Sequence, residues 1–137
     1  LSEAAVAAWI ADPDRIVLVG AAADAPETLL GYALYETAAT PEAPVTERLG
    51  DVPAGHLSKL YVLAEGRGTG LAEALVHDGV ARLRQLGFRH VWLGTNAQNA
   101  RANRFYERLG FATIGARQFV VGGERVEDDW VRLLTVA

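Results

Sequence analysis

The chain has 137 residues, half of them hydrophobic, which is enough for one domain spanning 1–137 with a single sizeable core. It contains no cysteine, so a disulfide framework, a thiolate metal site and a cysteine nucleophile are excluded, and no metal is expected. A formal net charge of -4 argues against a broad phosphate-binding surface, so nucleic acid is not expected as a partner.

In chain order, the stretch Leu1 to Ala11 is alanine-rich and free of Gly and Pro, with Leu1, Ala5, Ala8 and Trp9 at helical intervals, and predicts a short packed helix. It lacks the basic start and apolar centre of a secretion signal, and no apolar run in the chain is long enough for a bilayer, so a cytoplasmic protein without a membrane partner is expected. Because the chain has no methionine and opens directly in helical sequence, a lost upstream segment is also expected. Asp12, Pro13 and Asp14 break the pattern. Arg15 to Ala21 is a strand with β-branched Ile16, Val17 and Val19, residues 22–28 a turn, and Leu29 to Glu36 a second strand paired with the first as an antiparallel hairpin. Residues 37–55 collect Pro41, Pro44 and Pro53 and predict a mobile flap or disordered insert. His56 to Leu63 follows as a strand. Gly70 to Leu86 is a helix with Ala72, Leu75, Val76, Gly79, Val80, Leu83 and Leu86 along one face, capped by Gly87. A strand at 89–94, a helix from about Ala100 to Leu109, and two strands near 111–121 and 125–135 around Gly122 and Gly123 complete the order α-β-β-β-α-β-α-β-β.

Two segments carry chemistry. The first is Glu65-Gly66-Arg67-Gly68-Thr69-Gly70-Leu71-Ala72, where a strand runs into a helix. Glycines let the backbone approach an anion, the first N–H groups of the helix have no intrahelical acceptor, and Arg67 adds a full charge. Taken alone, such a glycine cluster equally serves a tight turn. No Gly-Lys-Ser/Thr follows, which excludes a Walker loop, and the glycine spacing does not fit a dinucleotide fingerprint. The second segment runs from Asn99 to Phe111, with Asn99 as the N-cap, small Ala102 on the inner side, Phe105 and Leu109 as core anchors, and Tyr106 facing elsewhere. A helical tyrosine alone reads as a packing residue.

Together these segments resemble the GNAT superfamily of acyl-CoA-dependent N-acyltransferases. Its phosphate-loop pattern Q/R-x-x-G-x-G/A is matched by Arg67, Gly70 and Ala72, and its N-x-x-A…Y…GF segment by Asn99, Ala102, Tyr106, Gly110 and Phe111. The resemblance covers nearly the whole chain, except that the family's first strand and first helix are absent or truncated and the 37–55 insert is added. It implies an α/β (α+β) fold with a mixed, mostly antiparallel central sheet, splayed at a CoA wedge and flanked by helices. It further implies acetyl-CoA as cosubstrate and a small amine or peptide amine as acceptor. Leu60, Tyr61 and Val62 would line the thioester and pantetheine, with the Leu60 N–H as oxyanion donor. Arg67, Gly68, Thr69, Gly70, Leu71 and Ala72 would hold the pyrophosphate. Asn99, Ala102 and Tyr106 complete the cofactor side, with Tyr106 as the acid for the departing thiolate. His56 stands where some members carry a catalytic glutamate, and shares a strand face with Ser58 and Leu60. It is expected either as the base or as a strand end facing solvent.

The ending Phe119-Val120-Val121-Gly122-Gly123 with Asp128-Asp129 is similar to the polyamine acetyltransferase branch. Glu124, Glu127, Asp128 and Asp129 would attract a cationic acceptor or form a solvated face. Two other readings stand beside catalysis: a non-catalytic acyl-CoA sensor, which has no use for the Tyr106 hydroxyl, and an assembly subunit docking through the hairpin around Trp130, where ordinary strand packing is the simpler expectation. A homodimer fits either.

Overall fold

The computed structural model describes residues 2–123 and 125–136. Leu1, Glu124 and the side chain of Glu127, named above, lie outside the described residues. The elements in order are α1 (Glu3–Ala11), β1 (Arg15–Ala22), β2 (Ala25–Glu36), α2 (Ala43–Leu49), β3 (Gly55–Val62), a 3-10 turn (Ala64–Gly66), α3 (Leu71–Gln85), β4 (His90–Asn96), α4 (Ala100–Arg108), β5 (Ala112–Val121) and β6 (Arg125–Thr135). Six strands hydrogen-bond in the order β1-β2-β3-β4-β6-β5, a mixed and mostly antiparallel sheet as expected. The chain divides into two compact units, Leu1–Ala39 with Leu57–Gly87, and Thr40–His56 with Phe88–Ala137.

In the first unit, Ser2 Oγ caps α1 by accepting from the Ala5 N–H at 3.1 Å. Ala5, Val6 and Trp9 are half-buried while Ala8 is exposed, and no described residue of α1 is buried. The helix is thus laid on through one partial stripe, and is not the packed helix expected. Mostly alanine, it has little apolar area to bury. The β1–β2 hairpin is longer than expected, running from Arg15↔Glu36 to Ala22↔Ala25. Register shifts around Ala21 absorb residues 25–28 into β2, reducing the expected turn to Ala23 and Asp24, and Pro26 sits where the ladder is already irregular.

Helix α3 buries Leu75, Val76, Gly79, Val80 and Leu83. A Cβ at Gly79 would collide with the Tyr35 ring, whose hydroxyl donates to the Leu75 carbonyl at 2.9 Å. Leu86, expected on the same face, is 61% exposed, because the helix ends at Gln85 and Gly87 at φ 100° turns the chain away.

In the second unit, α2 occupies the middle of segment 37–55, with proline in the first turn and Val45 buried. The Pro44 ring lies over Gly115 of β5, where a Cβ would collide with it. Antiparallel ladders join β4 to β6 and β6 to β5. Strand β3 enters through Gly55↔Val91 and His56↔Trp92, a parallel pairing with β4. Val91, Trp92 and Leu93 are all buried, so β4 is covered on both faces.

Candidate active site

The phosphate turn belongs to the first unit. Gly66 is buried between Leu30 and Val62, and its N–H donates to the Leu63 carbonyl at 2.9 Å. The Thr69 hydroxyl donates to the Gly66 carbonyl and accepts from the Leu71 N–H at 3.4 Å, which clamps the turn onto the start of α3. Gly68 and Gly70 adopt φ 75° and 85°, and Gly70 is the N-cap of α3 with no side-chain cap. A Cβ built on either glycine meets nothing within 4 Å, so the outer side of the turn is open to a ligand. Beneath it, Leu71 packs against Gly20, where a Cβ would clash. The N–H groups of the first turn of a fifteen-residue helix thus emerge on an open glycine bend, with Arg67 exposed beside them. This arrangement suits a pyrophosphate.

Strand β3 has a defined sense. The Leu63 N–H donates to the Leu30 carbonyl of β2 at 2.7 Å, and the Tyr61 carbonyl lies beside Gly31 of β2. Backbone groups alternate in direction along a strand, so Leu60 and Val62 turn their N–H and C=O to the opposite edge. Tyr61 spends its backbone on the β2 side, and offers only its half-exposed ring, which lies 6.1 Å from Tyr32.

His56 and the α4 residues belong to the second unit. The His56 ring is half-buried and stacks on buried Trp92, with centroids 3.8 Å apart and planes within 10°. A strand end turned to solvent is therefore not what forms. Asn99 caps α4 as expected, its Oδ1 accepting from the Ala102 N–H at 3.1 Å. Ala102 and Phe105 are half-buried. Tyr106 meets the edges of Phe105 and Phe111 at 5.2 and 5.7 Å, and burial pushes its phenol up to about 12.

Two polar clusters of this unit escape sequence reasoning. Arg132, 2% exposed, donates to Asn103 Oδ1, the Phe111 carbonyl and Glu107 Oε1 at 2.9–3.1 Å. Asn103 Nδ2 in turn donates to the carbonyls of Asn96 and Asn99. The buried residue of α4 is thus Asn103, while the expected anchors Phe105 and Leu109 are only half-buried. This network fixes the helix that carries Tyr106. A helical pattern hides it, because asparagine and arginine read as surface residues.

The second cluster joins Arg117 to Glu42 and Asp129 at 2.6 and 2.9 Å. Burial opposes the Arg117 charge, but the hydrogen bonds it donates to Glu42 and Asp129 and their negative charges outweigh it and hold the guanidinium pKa above its ordinary value. Asp129 is thus 7% exposed, not part of a solvated face, whereas Asp128 is exposed. Trp130 is 38% exposed, where ordinary strand packing was the expectation.

No helix among the described residues is long and apolar enough to cross a membrane. The sequence profile of the acetyltransferase (GNAT) family matches residues 2–111. An uncharacterized N-acetyltransferase of Mycobacterium tuberculosis is 37% identical over 131 residues, covering 96% of this chain and 74% of that protein. A mycothiol acetyltransferase of Parafrankia sp. is 40% identical over 91 residues, 61% of this chain but 28% of that protein. Among solved structures, nourseothricin acetyltransferase superposes with a TM-score of 0.74 at 23% identity, over 92% of this chain and 68% of that one. The glycine turn that suits a pyrophosphate and the capped helix bearing Tyr106 thus lie within a profile match covering most of the chain, which belongs to the acetyltransferase (GNAT) family and is an acetyl-transferring enzyme.

Proposed function

We propose that the enzyme acetylates a primary amine, of a small molecule or a peptide, by direct attack of the neutral amine on acetyl-CoA in a ternary complex. The observation that carries this reading is the open glycine turn at the N-terminus of α3, which fits the pyrophosphate of coenzyme A. Arg67, Gly68, Thr69, Gly70, Leu71 and Ala72 hold that group. Leu60 and Val62, whose backbone groups face away from β2, bind the amide-rich pantetheine, and the Leu60 N–H takes the carbonyl oxygen as negative charge develops on it.

The ammonium of the acceptor first loses a proton to His56, directly or through water. The nitrogen then forms its bond to the acetyl carbon and the carbon–sulfur bond breaks. Tyr106, lifted by burial well above a thiol's ordinary pKa of about 8.5, donates a hydrogen bond to the departing sulfur, and the second amine proton completes the thiol. The products are amide, free CoA and one proton.

Free CoA release, followed over a panel of polyamines, aminoglycoside-like amines, amino acids and peptides, is expected to exceed the amine-free rate for at least one class. No release above background with any amine, from protein that binds acetyl-CoA, would overturn the reading. With an accepted amine, His56→Ala is expected to change the pH profile of kcat/KM and to lose roughly 10²-fold in rate at neutral pH. An unchanged profile would remove His56 as the base.

A further inference from the structure

We infer that Arg132 is a positioning residue for acetyl transfer: from the central strand β6 it holds Tyr106 in place, and the rate of transfer depends on it through the Tyr106 hydroxyl. The inference rests on the role given to Tyr106 above and adds the residue through which the fold secures that role.

All of the groups concerned lie in the second unit. Strand β6 runs between β4 and β5, and Arg132 stands opposite Leu93 on one side and Thr113 on the other. From this buried position its guanidinium reaches three points around α4 at once. Nε donates to Asn103 Oδ1 at 3.1 Å, Nη2 to Glu107 Oε1 at 3.0 Å and Nη1 to the Phe111 carbonyl at 2.9 Å. In sequence these partners bracket Tyr106 on both sides. Each end is tied further. Asn103 Nδ2 donates to the carbonyls of Asn96 and Asn99, and the Phe111 N–H donates to the Tyr106 carbonyl at 3.0 Å. The fully buried Phe111 ring then meets the Tyr106 ring edge-on. A short chain of contacts thus runs from the guanidinium through Phe111 to the phenol.

The type of residue carries the argument. To hold α4 by packing alone, an aliphatic side chain at position 132 would serve, but apolar contacts are non-directional and let a helix slide or rotate slightly. A planar guanidinium with donors committed in three fixed directions does not. Burying that cation is costly, because its carboxylate partner Glu107 has a side chain 61% exposed to water and neutralises it only partly. A charge buried at such cost to hold a nine-residue helix fits a helix whose placement matters to the chemistry. Tyr106 is the residue of that helix assigned to a reacting atom, and a misplacement of about 1 Å can cost on the order of 10²-fold in rate.

The test is a double-mutant cycle between Arg132→Met and Tyr106→Phe, read as pre-steady-state acetyl transfer to an accepted amine, with folded sites counted by CoA titration. Arg132→Met is expected to slow transfer about tenfold while CoA affinity stays within about threefold of wild type. In the Tyr106→Phe background the same substitution should cost less than about twofold, because a displaced ring without its hydroxyl has little left to lose. Arg132→Lys keeps the charge without the planar fork; it should fall between, and it takes the place of Arg132→Met if that variant does not fold. An unchanged transfer rate, equal losses in both backgrounds, or a loss confined to CoA affinity overturns the inference. Failure of the Tyr106 reading shows differently, as a full rate in Tyr106→Phe alone, and removes the inference with it. If no amine is accepted, fluorine NMR of fluorotyrosine-labelled protein decides. The resonance that Tyr106→Phe deletes should be single in wild type and shifted or split in the Arg132 variant, and an unchanged resonance overturns the inference.

Discussion

Tyr106→Phe is expected to lower kcat by about 10- to 100-fold while leaving CoA affinity within about twofold. A hydrogen bond to a group that acquires charge contributes on the order of 1.5–3 kcal/mol, and the departing sulfur carries its charge only as the carbon–sulfur bond breaks. An interaction made late in the reaction lowers kcat when lost and spares ground-state binding. Phenylalanine keeps the ring that meets Phe105 and Phe111 edge-on, so the helix retains its packing. The pH dependence has a definite sign. Burial disfavours the phenolate, so a folded-state value of about 12 against 10.0 keeps the donor protonated throughout the neutral and mildly alkaline range. The wild-type rate should not fall from Tyr106 ionisation below about pH 11. For the same reason Tyr106 stabilises the fold least at high pH: its contribution is complete below pH 10 and lost as pH rises toward 12, a loss that Tyr106→Phe should not show. The measurement is pre-steady-state acetyl transfer, which isolates the chemical step. Full single-turnover rate in Tyr106→Phe would remove the assignment.

The parts of the enzyme legible in the sequence are those where the backbone conformation is written in residue type. Gly68 and Gly70 must be glycine because their φ is positive, and Asn99 caps α4 because its short side chain reaches the Ala102 N–H. The period of α3 is equally plain up to Leu83. Leu86 misleads because an apolar residue continues the period one step past the point where Gly87 ends the helix. The prolines of segment 37–55 suggest a mobile flap or a disordered insert, yet Pro44 stands in the first turn of α2, where a missing N–H costs nothing, and its ring fills the space over Gly115.

What stayed hidden is polar and long-range. Glu42 and Arg117 are 75 residues apart in the chain, and nothing local to either marks the other as its partner. Asp129 reads as one of a run of acids beside a turn until β5 and β6 register Arg117 opposite it. Arg132 looks like a surface charge alternating with apolar neighbours, and only the fold shows it spanning β6, α4 and the Phe111 carbonyl. Such buried networks carry a high penalty if half-formed, so they specify the placement of α4, and through it of Tyr106, more tightly than the half-buried Phe105 and Leu109 do. Removing the Arg132 side chain would leave Asn103 Oδ1 and the Phe111 carbonyl without their donor.

Gly70→Asp should cost at least about 100-fold in CoA affinity, the largest single loss expected of any substitution at the phosphate turn. Strain acts on the fold, whereas the position and the charge of the new carboxylate act on the ligand. At φ 85° an L side chain is strained by roughly 1 kcal/mol, although aspartate tolerates this region better than most residues. The space around a Cβ at position 70 is empty, so the carboxylate is not expelled by the protein and occupies the open side of the turn. There it brings a negative charge to the N-terminus of α3, which the helix dipole favours but which repels a pyrophosphate at the same place. The folded protein should therefore be little destabilised while its ligand affinity collapses. Gly70→Asn separates charge from shape: it tolerates the same φ and fills the same volume without repelling phosphate, and is expected to lose only about a tenth to a third as much affinity. Calorimetric titration with CoA, at two salt concentrations, checks both variants against wild type, and pantetheine serves as a ligand lacking the pyrophosphate. Aspartate and asparagine should then differ most at low salt, where screening is weakest, and should differ little toward pantetheine. Unchanged CoA affinity in a folded Gly70→Asp protein would place the pyrophosphate elsewhere, and the roles of Arg67, Gly68, Thr69, Leu71 and Ala72 would fall with it.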